Sequence, residues 1–275
     1  MLDDSQLVQL QNLSDVAQTH LVIYNPQAGP SILASAGAWY LALKEAQKDV
    51  RLASLKKPKI KEIIGLEATE MDLGKQNLTI SFDYDENAVD KISYHIGEET
   101  KKFYLTIKPK KNYSPLNTET IEYSYTGFEA DIIYLFGVDK LEDLDKLYFG
   151  YEEVFQETPI VSFHHHQTKF GTIKVVANSA SLNQDVFSLM ARLSWPVSPD
   201  SATNLLYGIE AETDGLRSRL VTAETFDVVA RLMKLGARRV WKPTGSKLLT
   251  TSNKATTKQT VKKKTATKTE VEVKS

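Results

Sequence analysis

Three short runs of β-branched and aromatic residues restrict the fold of this chain more than any other feature: His20-Leu-Val-Ile-Tyr24, Asp131-Ile-Ile-Tyr-Leu-Phe136 and Ile160-Val-Ser-Phe163. Each reads as a buried strand. Helical patterns separate them, and strands alternating with helices imply a parallel sheet with right-handed crossovers. The expected fold class is therefore α/β, a mostly parallel sheet flanked by helices.

The remaining pattern fits around that sheet. Asp4 or Ser5 is placed to cap a first helix bearing Leu7, Leu10 and Leu13, and Ile32 to Gln47 reads as an Ala-rich helix completing a βα unit. The loop between them, Asn25-Pro-Gln-Ala-Gly-Pro-Ser31, is rich in turn residues. Gly29 alone does not make a phosphate loop, so a plain connection accounts for it. Leu141 to Phe155 reads as helical, and Gly171 to Ala177 as a further strand. Ala180 to Leu193, Ser201 to Thr213 and Thr222 to Leu235 read as helices, with Gly236 as a C-cap.

From Leu78 to Tyr125 the period changes to two, with short strands at Leu78–Phe82, Ile92–Ile96, Phe103–Ile107 and Ile121–Tyr125. This predicts a β-hairpin insertion at about 76–126. His95 lies inside it without a carboxylate or second histidine beside it and is assigned no role. Asp83, Asp85, Glu86 and Asp90 lack the turn glycine and closing glutamate of a calcium loop, so a solvated acidic turn explains them better.

Charge divides the chain at its C-terminal end. The formal net charge is −1, yet from Lys242 onward nine lysines face only Glu270 and Glu272. A segment this rich in Lys and Thr and poor in bulky apolar residues cannot bury enough surface to offset its ordering entropy. The expected organisation is thus a domain over 1–240 and a disordered tail over 241–275. The tail's lysines could attract nucleic acid weakly through counterion release, although no aromatic residue there can stack on bases.

With no cysteine, thiolate chemistry and disulfides are excluded. No apolar run reaches membrane-spanning length and Met1-Leu2-Asp3-Asp4 does not open a signal peptide, so the expectation is a cytoplasmic protein without a membrane partner.

The chemistry-bearing stretch is Pro159-Ile-Val-Ser-Phe-His-His-His-Gln-Thr-Lys-Phe-Gly171, which holds His164, His165 and His166, three of the five histidines. They emerge at the C-terminal end of a buried strand, where open parallel sheets bind ligands. Adjacent histidines on an extended chain point to opposite faces, so the three cannot converge without a turn. Further on, Ala202, Leu205, Ile209 and Glu212 share one helix face. The carboxylate of Glu212 extends an inward stripe, and it either finds a partner there or reaches solvent at the helix end.

The N-terminal strand-loop-helix, the histidine-tipped strand running to Gly171, and Gly208-Ile-Glu-Ala-Glu-Thr-Asp-Gly-Leu216 leading to Gly236-Ala237 occur in an order and spacing that resemble the DHH phosphoesterase superfamily. The closest likeness is to its oligoribonuclease and phosphoadenosine-phosphate phosphatase branch, over about Leu21 to Ala237. The resemblance implies two divalent metals, usually manganese, held by aspartates and a histidine and activating water for attack on phosphorus. It aligns His165 and His166 with a metal-ligand and a phosphate-contacting histidine, and Glu212 with a metal-binding aspartate. His164 stands where the family has an acid. The loop Asn25 to Ser31 carries none, and Phe136-Gly137 replaces a further aspartate, with Asp139 two residues late. The chain also passes from Arg238-Arg239 into its tail, where active members carry a substrate clamp.

The expected catalytic residues are accordingly His165 and His166, the substrate contacts His166, Asn25 and Ser31, and the metal ligands His164, His165 and Glu212. Two functional expectations stand side by side. One is a non-catalytic or strongly divergent descendant that binds a nucleotide, short oligonucleotide or phosphate. The other is an active phosphodiesterase or phosphatase using manganese or another divalent metal. A protein-interaction scaffold with the basic tail is a third, and a homodimer is a further partner expectation.

Overall fold

The computed structural model of the protein describes residues 2–74, 77–83, 88–98, 100–115, 117–126 and 128–242. The expected disordered tail beyond 242 and residues 84–87 of the acidic turn lie outside the described residues.

The chain opens with α1 (Asp4–Val16), capped one residue earlier than its sequence suggests. The Asp3 carboxylate accepts the Gln6 N–H while the Gln6 side chain accepts the Asp3 N–H, which satisfies two otherwise orphaned donors. Strand β1 (Thr19–Tyr24) leads through the Asn25–Gly29 turn into α2 (Pro30–Glu45), where Pro30 suits the first helical turn because its missing N–H is not needed there. Strand β2 (Asp49–Ala53) follows. Its Asp49-Val-Arg-Leu-Ala sequence lacks the uniform apolar run of the other core strands.

The insertion comes next as two antiparallel pairs, one nested inside the other. β3 (Asn77–Ser81) pairs with β6 (Glu122–Thr126), and β4 (Val89–Gly97) pairs with β5 (Lys102–Pro109). The chain then returns to β7 (Ile132–Phe136). The segment that reads as one helix is broken into short 3₁₀ turns across Leu141–Leu147, kinked at Asp145, and the short α3 (Glu152–Glu157). Positive φ at Asp145 (45°) and Gly150 (90°) interrupts it. After β8 (Ile160–His164) and β9 (Ile173–Val176), the helices α4 (Leu182–Arg192), α5 (Pro199–Glu212) and α6 (Ala223–Lys234) complete the domain.

The core sheet has the order β2-β1-β7-β8-β9, and every pairing is parallel. Its two faces separate by the period of two. Val22, Tyr24, Tyr134, Phe136, Val161 and Phe163 pack beneath α2, α4, α5 and α6, whereas Leu21, Ile23, Ile133, Leu135 and Ile160 meet Leu144, Leu147 and Phe155 on the other side. Trp39 of α2 anchors the first layer, with ring centroids 4.8 Å from Phe163 and 5.4 Å from Tyr134. Each such ring contributes about 1.5–3 kcal/mol by leaving water.

Helices α2 and α5 approach closely because small residues line their contact. A Cβ at Gly37 would lie 3.0 Å from the Asn204 amide nitrogen, and Asn204 spans to the backbone N–H and C=O of Ile64. The sheet order reverses at β1: the chain steps from β1 to β2 on one side, and β7 and β8 extend on the other. A crevice therefore opens between the loops that follow β1 and β7, at the C-terminal edge of the sheet. Among the described residues, no helix is long and apolar enough to cross a membrane.

Candidate functional site

That crevice is where the histidine-tipped strand ends. β8 delivers His164 at its last position, buried beside the sheet edge, and a bend then sends the next two side chains apart. His165 Nδ1 faces Glu212 Oε1 at 3.3 Å, while His166 Nε2 lies 2.9 Å from Asp139 Oδ1. His164 joins the second group, its Nε2 3.3 Å from the same Asp139 oxygen and its ring centroid 3.8 Å from that of His166.

Asp139 reaches this point because of the residue at the end of β7. Gly137 has φ +66°, and a Cβ there would meet Ala28 Cβ at 2.5 Å. Only glycine permits both the left-handed turn and the approach to the Asn25–Gly29 loop. Val138 then buries and Asp139 emerges over the histidines. The acid that the linear spacing places two residues late is thereby carried to the site.

Glu212, the last residue of α5, is held by two hydroxyls. Ser31 Oγ donates to its Oε2 at 2.6 Å and Ser181 Oγ at 2.7 Å. Asn183 fixes Ser31 in turn, donating to its hydroxyl (2.9 Å) and its carbonyl (3.1 Å). Gly208 provides the room, since any Cβ there would lie 2.1 Å from the Asn183 amide. With one oxygen occupied by hydroxyls, the other faces His165 Nδ1 within ion-pair range. With its Nδ1 side turned to this carboxylate, His165 has Nε2 left for a ligand.

The tautomer of His164 is set by the backbone. Its Nδ1 accepts the backbone N–H of His165 at 2.9 Å and of His166 at 3.4 Å, so the neutral ring carries its proton on Nε2, which lies 3.3 Å from Asp139. Burial lowers its pKa; the neighbouring His166 adds to the shift and Asp139 opposes it. His164 thereby sits beside Asp139 as a neutral ring.

Asp139, His164 and His166 each offer one ligand atom, all within 4.8 Å of one another, so an Asp/His group with metal-site spacing exists here. Because the Nε2 lone pair of His164 is taken by its proton, a cation here would rest on Asp139 and on His166, whose Nε2 proton, now bonded to Asp139, would have to leave or move to Nδ1. Of the residues expected to hold metal, His165 and Glu212 meet as a pair and His164 lies in the other group. Asn25 follows β1, its Oδ1 accepting the Gln27 N–H at 3.0 Å. It lines a cavity of about 380 Å³ with Pro26, Gln27, Leu55, Lys56, Asp139 and Asp143. Ser31 is instead engaged with Glu212.

Sequence reasoning left Asp139 out of the site and missed Ser181, Asn183 and Lys56. A glycine two residues before an acid at a strand end was the available signal for Asp139. Lys56 belongs to the run Leu55-Lys-Lys-Pro-Lys-Ile-Lys61 after β2, on the same sheet edge. The first turn of α2 opens onto this edge with Gly29 as an N-cap that supplies no side-chain acceptor. Its free N–H groups carry the partial positive charge of a helix start.

The fold and site define a parallel α/β protein with histidines and carboxylates gathered at the switch point of its sheet. A similar fold occurs in the crystal structure of an exopolyphosphatase-related protein from Bacteroides fragilis, with a TM-score of 0.56 at 13% sequence identity. The match covers 86% of this chain and 58% of that one, so the present chain spans little more than half the length of its structural counterpart. No protein-family model matches the chain, and no curated protein matches it.

Proposed function

We propose that this chain is a phosphoesterase-like protein that binds a phosphate-bearing ligand, a nucleotide or short oligonucleotide, in the β1–β7 crevice without running a two-metal hydrolysis. The observation that carries this reading is the donor set. The loop from Asn25 to Ser31 brings no carboxylate to the crevice, and the group of Asp139, His164 and His166 supplies a single carboxylate. Two hard dications bridging a nucleophile and a phosphate need several anionic oxygens, so the residues present do not fit a two-metal centre.

They suit a phosphate that shares its charge between a lysine and one cation. Lys56 and the side chain of Asn25 line the same cavity as Asp139 and Asp143, so donors for phosphate oxygens stand beside carboxylates that can hold a cation. His165, held by Glu212, offers Nε2 to a ligand hydroxyl or a protonated phosphate oxygen. A single cation at Asp139 and His166 would neutralise phosphate charge. The fold likeness to an exopolyphosphatase-related protein supports the phosphate reading without specifying a branch.

The second reading, an active metal-dependent phosphoesterase, is favoured by the convergence of Asp139 on His166. The two separate in an assay of short oligonucleotides and phosphoadenosine phosphate with manganese, run beside calorimetric titration of ligand and metal. Binding without turnover, weakened roughly tenfold by Lys56→Ala, is expected. Turnover that His165→Ala abolishes would overturn the non-catalytic reading, and failure of every phosphate ligand to bind would overturn both.

A further inference from the structure

The β4–β5 ribbon divides its side chains by chemistry with unusual consistency. In its register, Ile92 faces Ile107, Tyr94 faces Leu105 and Ile96 faces Phe103, which puts six large apolar residues on one surface. The opposite surface carries Ser93 with Thr106, His95 with Tyr104, and Lys102 beside Gly97. Lys91 opposite Lys108, the last pair before the register shift, extends that polar side. The apolar surface is open: Ile92 is 52% exposed, Tyr94 70%, Ile96 68%, Phe103 64% and Leu105 44%.

Two strands alone are marginal in water, and a contiguous exposed apolar face of this size marks an interaction surface. The ribbon is a sheet of its own in which β4 pairs only with β5 among the described residues, so both outer edges are open.

We propose that this face docks onto the same face of a second copy of the chain, the two ribbons stacking sheet on sheet about a two-fold axis. Three observations favour that occupant. The first is area: taking about 200 Å² for a large side chain, the five exposed residues offer roughly 600 Å² per copy, or roughly 1,200 Å² in all, the lower bound of stable interfaces. The second is the absence of charge. Every lysine of the paired strands lies on the opposite surface, so a like face meets no repulsion, and an isologous contact is self-complementary. The third concerns the main competitor. Single-stranded nucleic acid needs lysines beside its stacking rings, and on this apolar face Tyr94 and Phe103 have no lysine among their register neighbours.

The test is the mass of the full chain by sedimentation equilibrium and light scattering across 1–100 μM, at low and high salt, with hydrogen exchange of the β4 and β5 amides. The proposal expects a dimer whose affinity is insensitive to salt, with ribbon protection rising as the dimer forms. Ile96→Lys with Phe103→Glu should weaken association at least a hundredfold while leaving the far-UV spectrum and melting of the core unchanged. Thr106→Lys, on the opposite surface, should leave association intact and so controls for damage to the ribbon. A wild-type monomer at 100 μM would overturn the proposal, as would a dimer that survives the double substitution. A monomer that binds neutral or anionic lipid vesicles through this face would assign it to a membrane instead, and salt-sensitive binding of single-stranded nucleic acid would assign it there.

Discussion

The core sheet and the inserted ribbons use nearly the same residues for opposite ends. β7 and β8 present Ile133, Tyr134, Phe136 and Phe163 to layers on both faces, all buried, whereas β4 and β5 present Ile92, Tyr94, Ile96 and Phe103 to solvent. Strand propensity is similar in both places, so it is not what makes one set a core. The difference lies in what covers them: parallel strands come with crossover helices that bury both faces, and an antiparallel hairpin brings no such layer. The sheet can therefore hold a site rigidly, while the ribbon's apolar face is available to a partner.

Substitutions sharpen this contrast in a predictable order. Phe163→Ala, which empties the ring stacked 4.2 Å from Phe136, should cost about 3–5 kcal/mol in denaturant unfolding. Next comes Arg239→Ala. Its guanidinium pairs with Glu210, whose carboxylate is fully enclosed, and removing the cation leaves a buried charge alone. A loss of about 3 kcal/mol is expected, restored in large part by adding Glu210→Gln.

A smaller effect follows from His20. Burial pushes its pKa down to about 4, with Nε2 donating to the Ala17 carbonyl and Nδ1 accepting from Tyr134. The folded state holds it neutral while the unfolded chain protonates near 6.5, so the unfolded state binds more protons below that pH. Its contribution to stability is complete above pH 6.5 and lost as pH falls to about 4. The loss should be about 2 kcal/mol once residual solvent screening is allowed for, and His20→Gln should flatten that part of the stability–pH profile. At the bottom of the scale, Phe103→Ala should change the unfolding free energy of the monomer by less than about 0.5 kcal/mol. A core-sized loss there would mean that the ribbon is part of the core's cooperative unit.

The legible part of the fold was the part written in local pattern. The apolar runs of β1, β7 and β8, the amphipathic α5 and α6, and the period-two insertion all announce themselves within a few residues. β2 did not, because Arg51 in its middle is held by an ion pair with Glu70, a relation set by the returning chain. The reading of 141–155 as one helix failed because the apolar spacing of Leu141, Leu144 and Leu147 suits a 3₁₀ turn as well, and the break depends on backbone at Asp145 and Gly150. In the site, the histidines and Glu212 were visible and the pairings among the site's residues were not. Ser31 is 181 residues from Glu212, and Asp139 is 27 from His166. Pairings at that range follow from the sheet order, which local periodicity does not encode.

The nested pairing of the insertion also bears on how the molecule assembles. β1 cannot pair with β7 until the chain between them, ribbons included, has been gathered into a loop. Closing a loop costs entropy that grows with the logarithm of its flexible length. If β3 and β6 zip first, the whole insertion is removed from that length, roughly halving it and saving about 0.6 kcal/mol at the step that joins the two sides of the crevice. The segment that adds nothing to the core would then act as a kinetic staple, shortening the search that creates the site.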